Sequence, residues 1–390
     1  MVRNRGKHAY SFTLARSLAI LRIECNERTL TAAAAPLTFP RMTNLRTSRR
    51  HVSLSLLLLA FAASAAFAQG TWKNVAPFPE PREELLGAAA GGKLYVFAGL
   101  IPLWKPAGVV YEYDPTGDKW TKKKPMALPA HHVALASYND RIYAFGGFVY
   151  PTSGGAAWVP IDNAWEYNPA QDAWKALAPM PIKRGGASAA VVGDKIYVIG
   201  GATTQPWAKE NFLSPVTPQR GLGTVQAYDP KTNTWRELMP MPTPRNHAAI
   251  GAVNGKIYVI GGRVGAAFIA LASDTSLVEV YDPATDTWGT PGARMPTTRS
   301  ALAYGVYNNR IYIAGGEFQD PQQQTVFRTF EEYDPAANTW TVLPPMAIAR
   351  HGVAAAVIGN RFYAVSGDVQ SSGTGVEVST NAVSAFEFTR

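Results

Sequence analysis

The chain has 390 residues, 47% of them hydrophobic, with 34 Gly and 29 Pro, which excludes a disordered or collagen-like protein and favours many short strands and turns. Its formal charge of +9 would suggest a nucleic-acid or membrane partner, but residues 1–68 hold 10 of the 37 Lys and Arg and only 2 of the 28 Asp and Glu. The other 322 residues carry a net charge of +1, so we expect no nucleic-acid partner.

The N-terminal region has the order of an export signal. Basic residues at 46–50 precede an apolar run at 52–61, and small residues follow as far as Ala66-Phe67-Ala68. The sequence therefore predicts a signal peptide over 42–68 that is cleaved after Ala68. A membrane anchor is the alternative, but a run of about 10–15 apolar residues is short for a bilayer span.

These boundaries predict what the mature protein is. Residues 1–41 are interpreted as an upstream extension outside the native fold, and 69–390 as the mature chain, periplasmic or secreted, with no membrane insertion after cleavage. The single cysteine, Cys25, lies before the predicted cleavage site. The mature chain would then have no disulfide, thiol nucleophile or cysteine metal ligand.

After the predicted cleavage site, one unit recurs six times, which indicates a solenoid or a propeller. The repeated tryptophans are Trp72, Trp120, Trp174, Trp235, Trp288 and Trp340. The glycines that end a pair of small residues, each with a tyrosine four residues earlier, are Gly99, Gly147, Gly201, Gly262, Gly316 and Gly367. The residues seventeen positions before these glycines are Arg82, Ala130, Arg184, Arg245, Arg299 and Arg350.

Each unit is predicted to contain four strands. The stretch from His247 to Val253 and the stretch from Lys256 to Ile260 predict a hairpin, strands a and b, around Asn254-Gly255. Strand c alternates, as in residues 278–281, and ends at Asp282-Pro283 because proline removes a ladder donor. A strand that carries the tryptophan, strand d, follows.

Six such units predict an all-β, six-bladed propeller with four antiparallel strands per blade. The glycine pair, the Tyr-Asp-Pro turn and the tryptophan resemble the kelch repeat over residues 72–388. The repeat pattern is broken at Ala98, Ser366, Asn168 and Ala130. Because Trp72 precedes the first complete unit and the last unit has no tryptophan, the N-terminal strand is expected to close the last blade.

Length varies only between strands b and c. The tryptophan-to-glycine spacing is 27 or 28 residues, whereas the spacing from the glycine to the Asp or Asn at the end of strand c runs from 15 to 28. Loops that vary on a constant scaffold commonly carry function. Strand order places these loops and the arginines at the same end of the propeller, around the central mouth. The kelch resemblance implies that this mouth binds peptides in some relatives.

Three sets of residues are candidates at that mouth. The first is a ring that would bind carboxylates: Arg82, Arg184, Arg245, Arg299 and Arg350. The alternative is structural, because the arginines follow the repeat and their side chains would pair with strand c acids or pack between blades.

The second set breaks the repeat directly after the arginine position. It comprises Glu83-Glu84, His131-His132, His247 and His351. Two histidines and a carboxylate could ligate a transition metal or act as acid and base, with Glu84 and His132 as the acid/base candidates. Unconnected loop histidines are the alternative, and we expect neither metal nor cofactor.

The third set consists of aromatic residues in the b–c loops. Its members are Trp104, Tyr150, Trp158, Trp207, Phe212, Phe268, Phe318 and Phe327. Exposed rings would stack on sugars or hold a peptide anchor, with Trp158 and Trp207 as the main ligand-binding candidates, whereas loops that fold back would bury the rings.

The leading interpretation is a monomeric, non-catalytic module that binds an acidic peptide, protein or carbohydrate, and its main alternative is a cofactor-free sugar mutarotase or epimerase. Kelch propellers include copper oxidases similar to galactose oxidase and exported sialic-acid mutarotases, as the resemblance implies. The oxidase chemistry needs a cysteine, so it is excluded for the predicted mature chain.

Overall fold

The structure is a computed structural model that describes residues 70–102, 104–150, 158–208, 219–267, 272–320, 322–371 and 377–389. The predicted extension and signal peptide, with Cys25, lie outside these residues, as do Phe212 and Phe268. The described residues contain strands and turns but no helix, and so none that could cross a membrane.

Six four-stranded antiparallel sheets form the blades, with their strands in the order a, b, c, d. Blade 1 comprises Glu83–Ala90, Lys93–Ile101, Lys105–Asp114 and Lys119–Lys122. Blade 2 comprises Ala134–Tyr138, Arg141–Phe145, Ala164–Asn168 and Ala173–Ala176. Blade 3 comprises Ser188–Val192, Lys195–Ile199, Val225–Asp229 and Thr234–Leu238.

The second half of the ring continues the same order. Blade 4 comprises Ala249–Val253, Lys256–Ile260, Val278–Asp282 and Thr287–Trp288. Blade 5 comprises Ala303–Tyr307, Arg310–Ala314, Phe330–Asp334 and Thr339–Leu343. Blade 6 comprises Ala354–Ile358, Arg361–Val365, Val383–Glu387 and, as its strand d, Thr71–Asn74.

The predicted closure is confirmed. Thr71–Asn74 pairs antiparallel with Val383–Glu387, with Trp72 opposite Phe386. Strand a of each blade contacts strand a of the next, and blade 6 contacts blade 1 in the same way. The ring is therefore closed by hydrogen bonds between the two ends of the described chain.

The repeated residues join neighbouring blades. Each repeat tryptophan donates its indole N–H to a carbonyl of the preceding blade, as Trp340 does to Ala293 O at 2.8 Å. A strand c tyrosine donates its hydroxyl to the c–d turn, as Tyr333 does to Asn338 at 2.7 Å. The same Asn338 side chain accepts the backbone N–H of Ala293 at 2.6 Å. These contacts explain why tryptophan and tyrosine recur with the blade.

The glycine pair is needed where two blades come close together. A Cβ on Gly200 would lie 2.4 Å from Arg245 O, and the N–H of Gly201 donates to the same carbonyl at 3.0 Å. Ser366 replaces the first glycine of blade 6 and uses its hydroxyl to donate to Arg82 O at 2.8 Å. This departure from the repeat is therefore a substitution that keeps the bond between blades.

The six inner strands enclose an axial channel of about 470 Å³. Its lining is almost entirely Ala, Gly, Val, Leu and Ile, with Tyr304 as the one titratable residue among those that line it. Burial raises the pKa of Tyr304 to about 12. The candidate Glu and His residues lie instead at the end of the channel where strand a begins.

Candidate functional site

Strand b does not end at the glycine pair, which the sequence did not predict. The residue after the pair bonds antiparallel to the residue after the arginine position, as in Ser300 with Glu317 and His351 with Asp368. Short hairpins then continue outward in blades 2 to 5: Phe148–Val149 with Val159–Pro160, Ala202–Thr204 with Gln219–Gly221, Arg263–Gly265 with Ala272–Asp274, and Glu317–Gln319 with Gln324–Val326. We call the described residues of 100–108, 148–163, 202–224, 263–277, 317–329 and 368–382 the b–c face.

Beneath the b–c face, six residues with left-handed backbone surround the axis, and we call them the neck ring. Its members, with φ between 51° and 65°, are Glu84, His132, Gly186, His247, Ala301 and Gly352. The N–H of His247 donates to Gly186 O at 2.9 Å, and Gly186 N–H donates to His132 O at the same distance. Each non-glycine residue here costs about 1–2 kcal/mol of backbone strain.

The predicted start of strand a in blade 4 was wrong, and the left-handed backbone explains why. It begins at Ala249 rather than at His247, because a residue with φ of 54° interrupts the ladder. Arg245–Asn246 instead forms a separate short strand that pairs with Arg263–Gly265.

Three neck-ring side chains converge. Glu84 Oε2 lies 3.0 Å from His132 Nε2, and the rings of His132 and His247 are 4.5 Å apart. A carboxylate oxygen of Glu84 and one ring nitrogen from each histidine all lie within 4.8 Å of one another. The structure thus brings together the acid/base candidates Glu84 and His132, and His247 of blade 4 joins them, which the sequence did not predict.

A second group adjoins the first through Glu84. His351 Nε2 lies 3.6 Å from Glu83 Oε2, 3.9 Å from Glu84 Oε1 and 3.7 Å from Glu317 Oε2. Glu317 also pairs with Arg263 at 2.6 Å and accepts from Ser371 at 3.0 Å. This group is a buried network in which several carboxylates share few cations.

Burial and neighbouring charges separate the protonation states of these groups. Burial raises the pKa of Glu83 well above its usual value, and the carboxylate of Glu84 raises it further. Burial also opposes ionisation of Glu84, but His132, His247 and His351 hold its pKa below the usual value. Burial, followed by the charge of Arg263, lowers the pKa of His247 well below normal. Burial therefore disfavours the charged forms of Glu83 and His247, whereas the three histidines favour the carboxylate form of Glu84.

The expectation that the arginines line an open mouth is wrong for four of them, because Arg184, Arg245, Arg299 and Arg350 are at most 1% exposed. Arg245 pairs with Glu279, and Arg299 lies 2.6 Å from Glu331. Both acids lie in strand c, which is the structural alternative that the sequence left open.

The arginines at the other repeat positions also make structural contacts, and one position lacks the arginine. Arg184 donates to Val198 O at 3.3 Å, and Arg350 donates to Ser384 Oγ at 3.2 Å. Arg82 is partly exposed and pairs with Glu80 at 2.6 Å. In blade 2, Ala130 stands at the arginine position, and Trp165 lies in the same buried cluster, where it occupies space near the smaller residue.

Three residues of the neck region were missed: Arg263, Glu317 and Asp368. Each directly follows a repeated glycine, and each is buried. The pattern that could have found them is the change of chemistry at this position, which is Leu, Phe, Ala, Arg, Glu and Asp in successive blades.

The aromatic candidates divide into buried and exposed rings. Trp158 is buried, with its ring 4.7 Å from that of His131 and 4.8 Å from that of His132. Trp207 is 77% exposed and Tyr150 is 39% exposed. Trp104, Phe318 and Phe327 are half-buried. Trp158 therefore covers the histidines, while Trp207 presents a ring to solvent.

Side chains exposed on the b–c face have a common chemistry. Four of the seven exposed large hydrophobic residues in the described chain lie there: Tyr150, Trp207, Val264 and Val378. The exposed charged residues of its described segments are all basic: Lys105, Arg220 and Arg328. Lys105 Nζ lies 5.6 Å from the centre of the Tyr150 ring. The most exposed charges at this end of the propeller are therefore basic, with Asp162, Asp320 and Glu377 partly exposed beside them and an acidic network buried beneath.

Comparisons with known proteins agree with the repeat. A kelch-repeats domain model described as KLHDC2/KLHL20/DRC7 matches residues 181–367, and a kelch motif model matches 84–127 and 129–181. Kelch-like protein terF of Aspergillus terreus is 28% identical over 75% of this chain and 62% of its own length. Kelch-like protein 23 of Mus musculus is 27% identical over 72% of this chain and 45% of its own length.

The chain thus spans less than two thirds of each of these relatives. A solved structure titled "Structure of YjhT" aligns with a TM-score of 0.63 at 16% identity, covering 81% of this chain and 99% of that one. At this identity the likeness supports the fold alone.

Proposed function

The chain is a kelch-repeat β-propeller, and we propose that it is a binding module whose b–c face recognises an acidic segment of a partner protein or peptide. One observation carries the proposal: the exposed charges in the described segments of that face are all basic, and one of them, Lys105, lies 5.6 Å from the exposed ring of Tyr150. Aromatic anchors next to basic side chains suit a partner segment that combines apolar and acidic residues.

The scaffold supports this role. The b–c face stands on short hairpins that continue the blades. Arg220 and Val264 lie in their strands, and Tyr150 and Trp207 follow a hairpin strand within three residues. Exposed apolar residues that cluster at one end of a soluble fold commonly mark an interaction site. The buried arginines give no direct support to an anionic ligand, whereas Lys105, Arg220 and Arg328 do.

The test uses a fluorescent peptide of alternating Glu and Trp and a matched peptide with Lys in place of Glu. Trp207→Ala and the double variant Lys105→Glu/Arg220→Glu change the b–c face. Lys231→Glu/Lys256→Glu is the control, because it changes net charge equally at the opposite end, where the c–d and a–b turns lie.

Fluorescence anisotropy should show that the acidic peptide binds and that the Lys peptide does not. Trp207→Ala should weaken binding at least about 10-fold, as loss of an aromatic anchor does. The charge variant should also weaken binding and the control should not. Equal weakening by the control, or no effect of Trp207→Ala, would contradict recognition by this face.

A second candidate is proton transfer on a bound acidic sugar, such as a uronate or sialate. The 3.0 Å contact between Glu84 and His132 favours it, because an ionised carboxylate beside an imidazole forms an acid/base pair. Exchange of sugar anomers, measured by NMR with catalytic amounts of protein and lost in Glu84→Gln, would support this function. We also propose that the protein acts after export, as the N-terminal pattern predicts.

A further inference from the structure

We propose that Glu84, His132 and His247 bind one divalent transition-metal ion, with Zn²⁺ as the reference ion. Their donor atoms lie within 4.8 Å of one another. Ligand atoms bound to Zn²⁺ at about 2.0–2.2 Å stand about 3.3–3.6 Å apart in a tetrahedral site. The 3.0 Å between Glu84 Oε2 and His132 Nε2 is close to that spacing, so this pair needs little movement.

The surroundings of His247 favour a neutral ring that donates a lone pair. Asn246 Nδ2 donates to Gly265 O at 3.3 Å, which fixes the amide with its oxygen toward His247 Nδ1. That nitrogen must then carry the proton, and Nε2 keeps the lone pair that a metal needs. Metal-binding histidines typically have their second nitrogen held in this way.

His132 is held by a comparable pair of contacts. Its Nδ1 contacts Nδ1 of His131, while its Nε2 faces Glu84. The ring of Trp158 lies 4.8 Å from that of His132 and limits access of water to it. A metal ion would therefore lie between His132 and Glu84 in a site that Trp158 shields from water.

The backbone holds the three ligands in position. All three belong to the neck ring, at φ of 52° to 54°, where a side chain is strained. Gly186 and Gly352 occupy the same ring, and a Cβ on Gly352 would lie 2.6 Å from Glu84 N. The ring thus has side chains where they converge and a glycine where one would collide with Glu84.

The adjoining group of Glu83, Glu84 and His351 is a poorer alternative. His351 Nε2 lies 3.6 Å from Glu83 and 3.9 Å from Glu84, both longer than the 3.0 Å contact of His132, and Glu317 also lies beside it at 3.7 Å. Two histidines and one carboxylate leave coordination positions open, as in metal sites that bind a further ligand. The inference revises the expectation of no metal, and it does not depend on peptide binding at the b–c face.

The test is calorimetric titration of ZnCl₂ into the full, untagged chain after treatment with a chelator. His132→Gly and His247→Gly remove one ligand each, and glycine suits the left-handed backbone because Gly186 and Gly352 already occupy equivalent positions. His351→Gln is the matched control. Melting curves without metal show whether each variant folds as the wild type does.

We expect one Zn²⁺ per chain, at least about 100-fold weaker binding in each glycine variant, and little change in His351→Gln. Asn246→Ala should weaken binding about 10-fold through the orientation of His247. Zn²⁺ should raise the melting temperature of the wild type but not of folded glycine variants. No binding by the wild type, unchanged binding in folded His132→Gly and His247→Gly, or loss only in His351→Gln would overturn the site. Peptide anisotropy on the same variants separates this failure from failure of the proposed function.

Discussion

Replacing Arg299 with alanine should destabilise the propeller strongly, because it leaves Glu331 buried without its cation. Arg299 is fully buried and Glu331 is 1% exposed, and their charged atoms lie 2.6 Å apart. Arg299 also donates to Thr297 O at 3.1 Å and to Ile313 O at 3.3 Å. Removing one partner of a buried pair costs about 3–5 kcal/mol, and Thr297 Oγ1, 2.8 Å from Glu331, offsets a small part of that cost.

The matched control is Glu331→Gln, which gives blade 5 the residue types that blade 3 has at the equivalent positions, Arg184 and Gln226. Since Arg299 would keep its two carbonyl acceptors, this variant should lose only about 1–2 kcal/mol. Urea denaturation followed by tryptophan fluorescence at pH 7 measures both variants.

The opposite result would restore the arginine as a ligand-binding residue. If the free energy of unfolding of Arg299→Ala is within about 1 kcal/mol of the wild-type value, and the variant binds the acidic peptide more weakly, the structural role is refuted.

Three further predictions follow from the closure, from a surface ion pair and from the N-terminus. Trp72→Ala should lower the free energy of unfolding by about 3 kcal/mol, since it removes the indole bond to Pro344 O at 2.7 Å and ring contacts with Phe330 of blade 5 and Phe386 of blade 6. An unchanged urea midpoint would contradict closure by this strand. A hydrogen bond from Lys122 lowers the pKa of Glu80 to about 2, so the stability that this carboxylate contributes is present above about pH 4.5 and is lost as pH falls through 2. Glu80→Gln should therefore lower the free energy of unfolding by no more than about 1 kcal/mol at pH 7 and by less at pH 2–3. A loss of stability that grows as the pH falls would contradict this. Sequencing of the exported protein should read from Gln69, whereas a mature product that retains Met1 would contradict the predicted cleavage.

The fold was predictable because six copies of one pattern constrain one another. A single Tyr-Asp-Pro turn or glycine pair is a weak indication, but six at nearly constant spacing require equivalent strands. The closure of blade 6 followed from the position of Trp72 ahead of the first full unit. The hairpins of the b–c face were not predictable, because their strands have only two or three residues and no periodicity.

The arginines show that a repeat pattern identifies an equivalent position but not whether its residue binds a ligand. The pattern predicted one shared position, but burial depends on whether strand c supplies an acceptor. Glu279 and Glu331, each three residues before the strand c aspartate, could have indicated the pairing in blades 4 and 5. The missed residues Arg263 and Glu317 needed the observation that the position after the glycine pair faces the neck.

The sequence could suggest that side chains meet at the neck ring, but it could not predict which ones or in what geometry. Glu84, His132 and His247 share a repeat position, which predicts a common height along the axis. Their side chains meet because that position has left-handed backbone, which histidine adopts more often than most residues but a glutamate gives no reason to expect.

Hydrogen–deuterium exchange with and without bound acidic peptide tests the central claim, that recognition occurs at the b–c face, most directly. Protection on binding should appear in Phe148–Val149, Ala202–Thr204, Gln219–Gly221 and Arg263–Gly265, which form its hairpins. Protection confined to the a–b and c–d turns, at the opposite end of the propeller, would contradict it.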